Sequence, residues 1–232
     1  MPEFGPENRR KTAGMAPNRE QEINALLAGY ATGRLPGPLN VLVEAHLELA
    51  PANRRYVEDL ELMSGRAIEE TAPVDLTDRD SRLAAIFALP DVAARPMRAI
   101  ARPAGAPRLP DAIRRFVGHD VDTMPWKSVL PGFKEYKVGE FDGLKTSLFW
   151  IRSGQKIPSH THEGSEVTLV CEGGFSDLLG SYERGDISVS DSSVDHQPIA
   201  DDDGDCIGFA VTDAPLRLTG IIGRLFNPFI RV

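Results

Sequence analysis

The spacing of apolar residues changes part-way along this chain, and that change restricts the fold more than any other feature. Over residues 18–90 apolar side chains recur at helical intervals. From about residue 111 they fall in short, β-like runs separated by Gly, Asp and Ser. Two periods in succession predict an α+β chain, with an all-α region first and a β-rich region after it.

Four helices are expected in the first region. In "APNREQEINALLAGYATG", Asn18 is a candidate N-cap with Gln21 three residues on, as in a capping box. Ile23, Leu26, Leu27 and Tyr30 follow at helical spacing, and Gly33 is a candidate stop. "PGPLNVLVEAHLELA" places Leu39, Leu42, Val43 and His46 on one face. Pro51 suits the first turn of a third helix through "NRRYVEDLELMSGRAIEET". A fourth, "TDRDSRLAAIFALP", puts Leu83, Ile86 and Phe87 on one side and stops at Pro90.

The expected division is a disordered segment over 1–17, a helical domain over 18–90, a Pro- and Arg-rich linker over 91–110 and a β domain over 111–232. Candidate strands include "KTSLFWIRS", "EVTLVCE", "DISVSD" and "CIGFAVTD". Short strands at this spacing favour a sandwich or barrel. The acidic "DDDGD" at 201–205 lacks the ligand spacing of an EF-hand and reads as a solvated turn.

The formal net charge of -8 argues against direct nucleic-acid binding, which calls for a basic surface. No apolar run approaches the roughly 18 residues of a membrane span. The N-terminus has no apolar core and does not read as a secretory signal. Only two Cys occur, Cys171 and Cys206, so a disulfide framework is not expected and the default location is cytoplasmic. Cys206 lies in an apolar strand and reads as a small buried hydrophobe.

Chemistry concentrates in "GQKIPSHTHEGSEVTLVCEGG", residues 154–174. His160 and His162 are two apart, so on a strand both imidazoles share a face. Glu166 has the same parity, across an intervening turn, and His196 is a candidate fourth ligand from another strand. Two imidazoles and a carboxylate on one wall suit a divalent metal, although two His at this spacing also occur in exposed loops.

The frame of Gly154, His160, His162, Glu166 and Gly173 resembles the first cupin motif. "RGDISVSDSSVDH", with Gly185, Asp186 and His196, resembles the second, with Glu183 at the usual proline position and Ala200 at the usual asparagine position. The resemblance implies a C-terminal cupin β-barrel, a double-stranded β-helix, with His160, His162, Glu166 and His196 as metal ligands. Zinc is the expected metal; Mn, Fe and Ni suit the same donors.

The order "ALLAGYATGRLPGPLNVLVEAHLELAP", "EETAP", the cupin-like region, "TDAPLRL" and a final "FNPFIRV" resembles the ChrR family of anti-sigma factors. That resemblance implies a helical domain that sequesters an extracytoplasmic-function sigma factor and a cupin domain that senses a chemical or oxidative signal. It also implies a zinc in the helical domain, held by His, then three residues, Cys, two residues and Cys. Here His46 keeps its place, but Ala50 and Asn53 stand at the two Cys positions and Gln21 falls near an earlier His. Ala has no ligand atom, so that zinc is expected to be lost, leaving His46 a core or interface residue. The alternative reading is a metal-dependent cupin enzyme, a dioxygenase or isomerase with a helical extension. An enzyme is the less expected of the two. Oligomeric state is open.

Overall fold

The computed structural model describes residues 17–89 and 106–219. The expected N-terminal segment up to residue 16, most of the expected linker and the final "FNPFIRV" lie outside the described residues.

Helix α1 (Pro17–Ala31) begins one residue before Asn18, so proline opens the first turn instead of asparagine capping it. It stops as expected. Gly33 takes φ 65°, its N–H donates to the Tyr30 carbonyl at 3.0 Å, and Arg34 N–H donates to Gly29 at 2.9 Å. This pair of bonds satisfies two carbonyls the helix end would leave open. Helix α2 (Gly37–Leu49) buries Leu42, Val43, Ala45, His46 and Leu47. Helix α3 (Ala52–Glu69) buries Val57, and α4 (Arg79–Phe87) buries nothing.

Residues 111–117 form a fifth helix, α5 (Asp111–Val117), where only strands were expected. Its first N–H groups, at Asp111 and Ala112, donate to the Glu48 carboxylate at the end of α2, at 2.7 and 2.9 Å. Helix α5 thereby docks on α2, and Arg115 reinforces the contact with an ion pair to Glu44 at 2.7 Å.

Eleven strands follow among the described residues: β1 (Lys127–Leu130), β2 (Phe133–Phe141), β3 (Leu144–Ile151), β4 (His160–His162), β5 (Glu166–Glu172), β6 (Gly174–Asp177), β7 (Gly180–Glu183), β8 (Ile187–Ser190), β9 (Ile199–Ala200), β10 (Cys206–Thr212) and β11 (Leu216–Leu218). Six form one antiparallel sheet in the order β1-β2-β3-β10-β5-β8. Two smaller ladders are β11-β4 and β7-β6-β9, and isolated bridges occur at Lys156–Ile199 and His160–His196. The all-α region followed by a cupin-like β region is the α+β architecture expected. Among the described residues the ladders stay separate and do not run continuously around a barrel.

Both faces of the large sheet are covered, which explains the nearly unbroken apolar runs of its central strands. Val167, Leu169 and Cys171 on β5, and Ile207, Phe209 and Val211 on β10, join one core with Leu42, Val43 and Leu47 of α2 and Ile113 of α5. The alternate residues, among them Ser147, Phe149, Thr168, Ser188 and Ala210, face a cavity on the other side. Helices α1, α2 and α5 therefore share a core with the sheet. At roughly 1.5–3 kcal/mol per fully buried large side chain, this shared layer is a main source of stability.

Helices α3 and α4 contrast with that layer. Leu62, Met63, Ile68, Ile86, Phe87 and Leu89 are exposed, Phe87 at 83% and Ile68 at 75%. The expected stripe of Leu83, Ile86 and Phe87 exists, but it faces solvent.

Candidate metal centre

Period-two spacing on β4 turns His160 and His162 to the same side, and both are buried. His196 reaches them from the segment before β9. Its backbone exchanges two hydrogen bonds with His160, each 3.0 Å long. The side chains then converge. His196 Nε2 lies 3.0 Å from His160 Nε2 and 3.3 Å from His162 Nε2.

The outer ring nitrogens fix the protons. His160 Nδ1 meets the Pro158 carbonyl at 2.9 Å, and His196 Nδ1 meets the Asp177 carboxylate at 2.8 Å. A carbonyl and a carboxylate only accept, so both Nδ1 atoms carry the hydrogen. A neutral His160 so fixed presents a bare lone pair at Nε2, 3.0 Å from His196 Nε2. Burial and the neighbouring His196 push the pKa values of His160 and His162 down to about 4, so both rings are neutral at pH 7.

A metal cation here would engage all three Nε2 atoms. Metal–imidazole bonds of about 2.0–2.1 Å at angles near 90–110° bring nitrogens to about 2.9–3.4 Å of each other, which matches the observed spacing. The three buried histidines could hold a metal ion. Three imidazoles suit a divalent metal, and hydrogen bonds from the outer nitrogens orient two of the three rings.

Glu166 stands differently. It lies at the start of β5 and lines the same cavity, but it is not one of the groups whose ligand atoms converge. Its Oε2 is 3.7 Å from His162 Nδ1, and its carboxylate accepts from the Thr168 hydroxyl at 3.2 Å. Burial raises its pKa, with His160 and His196 opposing the rise. The His162 Nδ1 atom is itself buried and has no hydrogen-bond partner.

Asp177 is the functional residue that the sequence reading missed. It ends β6, its side chain is fully buried, and it uses both oxygens. Oδ2 holds His196, while Oδ1 accepts from Leu179 N–H at 2.8 Å and Gly180 N–H at 3.2 Å. Its signal in the sequence was an acid opening the "DLLG" turn, with nothing to link it to a histidine 19 positions on.

A cavity of about 580 Å³ adjoins the histidines, walled by Phe133, Phe149, Ile157, Phe175 and Leu216. Cys171 and Cys206 lie in the sheet and are fully buried. Burial raises both thiol pKa values, that of Cys206 to about 12, so neither is a reactive thiolate at pH 7.

His46, by contrast, belongs to no metal cluster among the described residues. Its Nδ1–H donates to the Gly185 carbonyl at 2.7 Å, and its Nε2 accepts from the Asn53 amide at 2.8 Å.

A helical layer packed on a cupin-like sheet, with converging imidazoles on the sheet's inner side, defines a cupin-type protein with a helical N-terminal region. Comparison with known proteins makes this specific. Residues 115–214 match the family model described as the ChrR cupin-like domain. The anti-sigma-E factor ChrR of Cereibacter sphaeroides is 35% identical over 92% of this chain and 99% of its own length. The chain belongs to the ChrR family. The crystal structure of Rhodobacter sphaeroides SigE in complex with the anti-sigma ChrR matches at 32% identity and a TM-score of 0.67, covering 82% of this chain and 96% of that one. An RmlC-like cupin from Ralstonia eutropha matches at 19% identity and a TM-score of 0.39, over 45% of this chain and 72% of its own. Among the described residues no helix is long and apolar enough to cross a membrane.

Proposed function

We propose that this chain is an anti-sigma factor that sequesters an extracytoplasmic-function sigma factor through α3 and α4. The observation that carries the reading is the apolar face these helices leave in solvent. A nine-residue helix with no buried residue and Phe87 83% exposed gains nothing from its apolar side chains in the free protein. Apolar surface of this kind marks an interface. Anchors spaced along a helix suit docking against a partner's groove. The C. sphaeroides relative is an anti-sigma-E factor, and the R. sphaeroides one crystallised with SigE, which supports the choice of partner. The complex would form in the cytoplasm.

The cupin-like part, in this reading, holds a divalent metal through His160, His162 and His196, with Glu166 as a fourth ligand from the cavity wall. Zinc is the first choice, and Mn, Fe and Ni suit the same donors. A chemical or oxidative signal received there would favour the free form of the chain over the bound form. Because both thiols are buried and protonated, the signal would act at the metal and not at a cysteine. The cavity beside the histidines is the feature a metal-dependent enzyme would use, and turnover of a small molecule would be its mark.

The test is calorimetric titration of the full chain with the extracytoplasmic-function sigma factors of its own cell. Stoichiometric binding to one of them, lost in the Ile86→Asp/Phe87→Asp variant, is expected. Absence of binding to every such sigma factor would overturn the reading.

A further inference from the structure

We infer that His46 and Asn53 form a metal-free joint that positions helix α3 on α2 and on the cupin-like sheet. The family resemblance places a zinc here, with the Cys positions occupied in this chain by Ala50 and Asn53. The residues present do not fit a zinc. Ala50 has no donor atom, Asn53 is no thiolate, and the His46 nitrogen that would face a metal is already engaged.

The hydrogen bonds fix the chemistry of the joint. The Gly185 carbonyl can only accept, so His46 Nδ1 carries the hydrogen at 2.7 Å. In the neutral ring Nε2 must then accept, and the Asn53 amide donates to it at 2.8 Å. Burial lowers the His46 pKa, in keeping with a neutral ring. One imidazole thus joins the end of α2, the first turn of α3 and the turn between β7 and β8.

The β7–β8 turn is held firmly enough to serve as an anchor. Gly185 N–H donates to the Val170 carbonyl at 2.8 Å, and Val170 N–H donates to Asp186 at 3.0 Å, which fastens the turn to β5. Gly185 sits at φ +96°, and a Cβ there would come within 3.2 Å of Leu49 Cβ, so α2 rests directly on the turn backbone. From α1, the Arg19 guanidinium lies 3.7 Å from the Asp186 carboxylate and 4.1 Å over the Tyr182 ring. Two helices therefore meet this turn of the sheet directly, and Asn53 brings in α3 through the His46 ring. Val57 supplies the buried apolar contact of α3, and Asn53 adds a polar one to α2. Asn53 and His46 are positioning residues. They fix the angle at which α3 presents Leu62 and Met63, and that consequence rests on the proposed role of α3 in sigma binding.

The joint is tested in the full chain by nitrogen NMR of the His46 ring and by hydrogen exchange. At pH 7 the His46 ring is expected to carry its hydrogen on Nδ1 alone. Asn53→Leu removes the donor, and amide exchange in the first turn of α3 should rise at least tenfold. Asn53→Asp offers an acceptor in place of the donor. His46 should then hold hydrogen on both nitrogens at pH 7, and exchange should return to near the native rate. A merely space-filling Asn53 would leave the ring's protonation unmoved in that variant. Affinity for the sigma factor should fall about tenfold in Asn53→Leu and recover in Asn53→Asp. A native His46 ring protonated on Nε2 alone overturns the joint, and so does unchanged exchange in a folded Asn53→Leu chain. Zinc bound by the full chain carrying His160→Ala, His162→Ala and His196→Ala, and released by His46→Ala, overturns it as well. The NMR and exchange results decide the joint even if no sigma factor binds, so its failure is separable from failure of the proposed function.

Discussion

Asp177 and His196 are joined by a 2.8 Å hydrogen bond in which His196 Nδ1–H donates to a carboxylate with no solvent exposure. That bond holds the ring in the tautomer that turns Nε2 toward His160 and His162. Replacing Asp177 by Asn keeps the shape but weakens the acceptor and removes its charge. Metal affinity of the Asp177→Asn variant should fall about 10- to 100-fold, the usual range for groups that hydrogen-bond a metal-bound histidine. Competition with a chelating dye measures this. An unchanged affinity would show that the His160–His162 pair sets the site without help.

The apolar face of α4 separates stability from binding. Phe87 is 83% exposed and Ile86 60% exposed, so neither contributes to the core of the free chain. Phe87→Ala should shift the urea midpoint by less than about 0.5 kcal/mol equivalent. The same variant should weaken sigma binding at least tenfold, as loss of an aromatic anchor does. If stability falls and binding does not, α4 packs against this chain and is no docking helix.

The helical half was legible because its signals are local. Gly33 and the Leu42–Val43–His46 face each act within one or two turns, and each lies where the spacing put it. Helix α5 carries equally local signals, with Pro110 before it and Gly118 at φ 76° after it, but at seven residues it is too short for a helical period to stand out. The β2–β3 hairpin also carries a local signal. Asp142 and Gly143 have φ of 54° and 77°, the pattern of a two-residue turn, and an Asp-Gly pair is a strong hairpin signal. The strand before it is harder to read, because β2 is polar and evenly mixed. The histidine pair was readable from period-two spacing, since both members lie on β4. The contact of Asp177 with His196 was not, because it depends on how the β6–β7 hairpin folds over the histidine segment. Nor could spacing show that α4 faces solvent, since a helix stripe looks the same whether it meets a core or a partner.

Gly173 closes the glycine frame of residues 154–173, and its place in the fold explains why. It sits at φ 64°, and an added Cβ would lie 2.2 Å from the Asp205 backbone oxygen. Strain at positive φ costs about 1–3 kcal/mol and overlap with fixed backbone about as much again. Gly173→Ala should therefore destabilise the chain by roughly 2–5 kcal/mol in urea unfolding. A loss under about 1 kcal/mol would mean that the 205–206 backbone gives way easily. Gly204, where a Cβ would meet nothing within 4 Å, is the control: Gly204→Ala should change stability little.

Acid should unfold the metal-free chain in a defined window. His160 and His162 have pKa values near 4 in the folded protein, because burial and the adjacent His196 disfavour charge, against 6.5 for an ordinary histidine. Between these values the unfolded chain binds more protons than the folded one, so stability falls as pH falls. The contribution is fully present above pH 6.5 and is lost as pH drops toward 4. His46, its pKa also lowered by burial, adds in the same direction. The ceiling is roughly 3 kcal/mol per shifted imidazole, and less for the pair because both interact with His196. Urea midpoints of chelator-stripped protein, measured from pH 7.5 to 4, give the slope. The His160→Gln/His162→Gln variant, which has no protons to take up at these positions, should show a shallower fall over the same range. Equal slopes in the two proteins would mean that the paired rings are not the groups that resist protonation, and that the carboxylates govern acid unfolding.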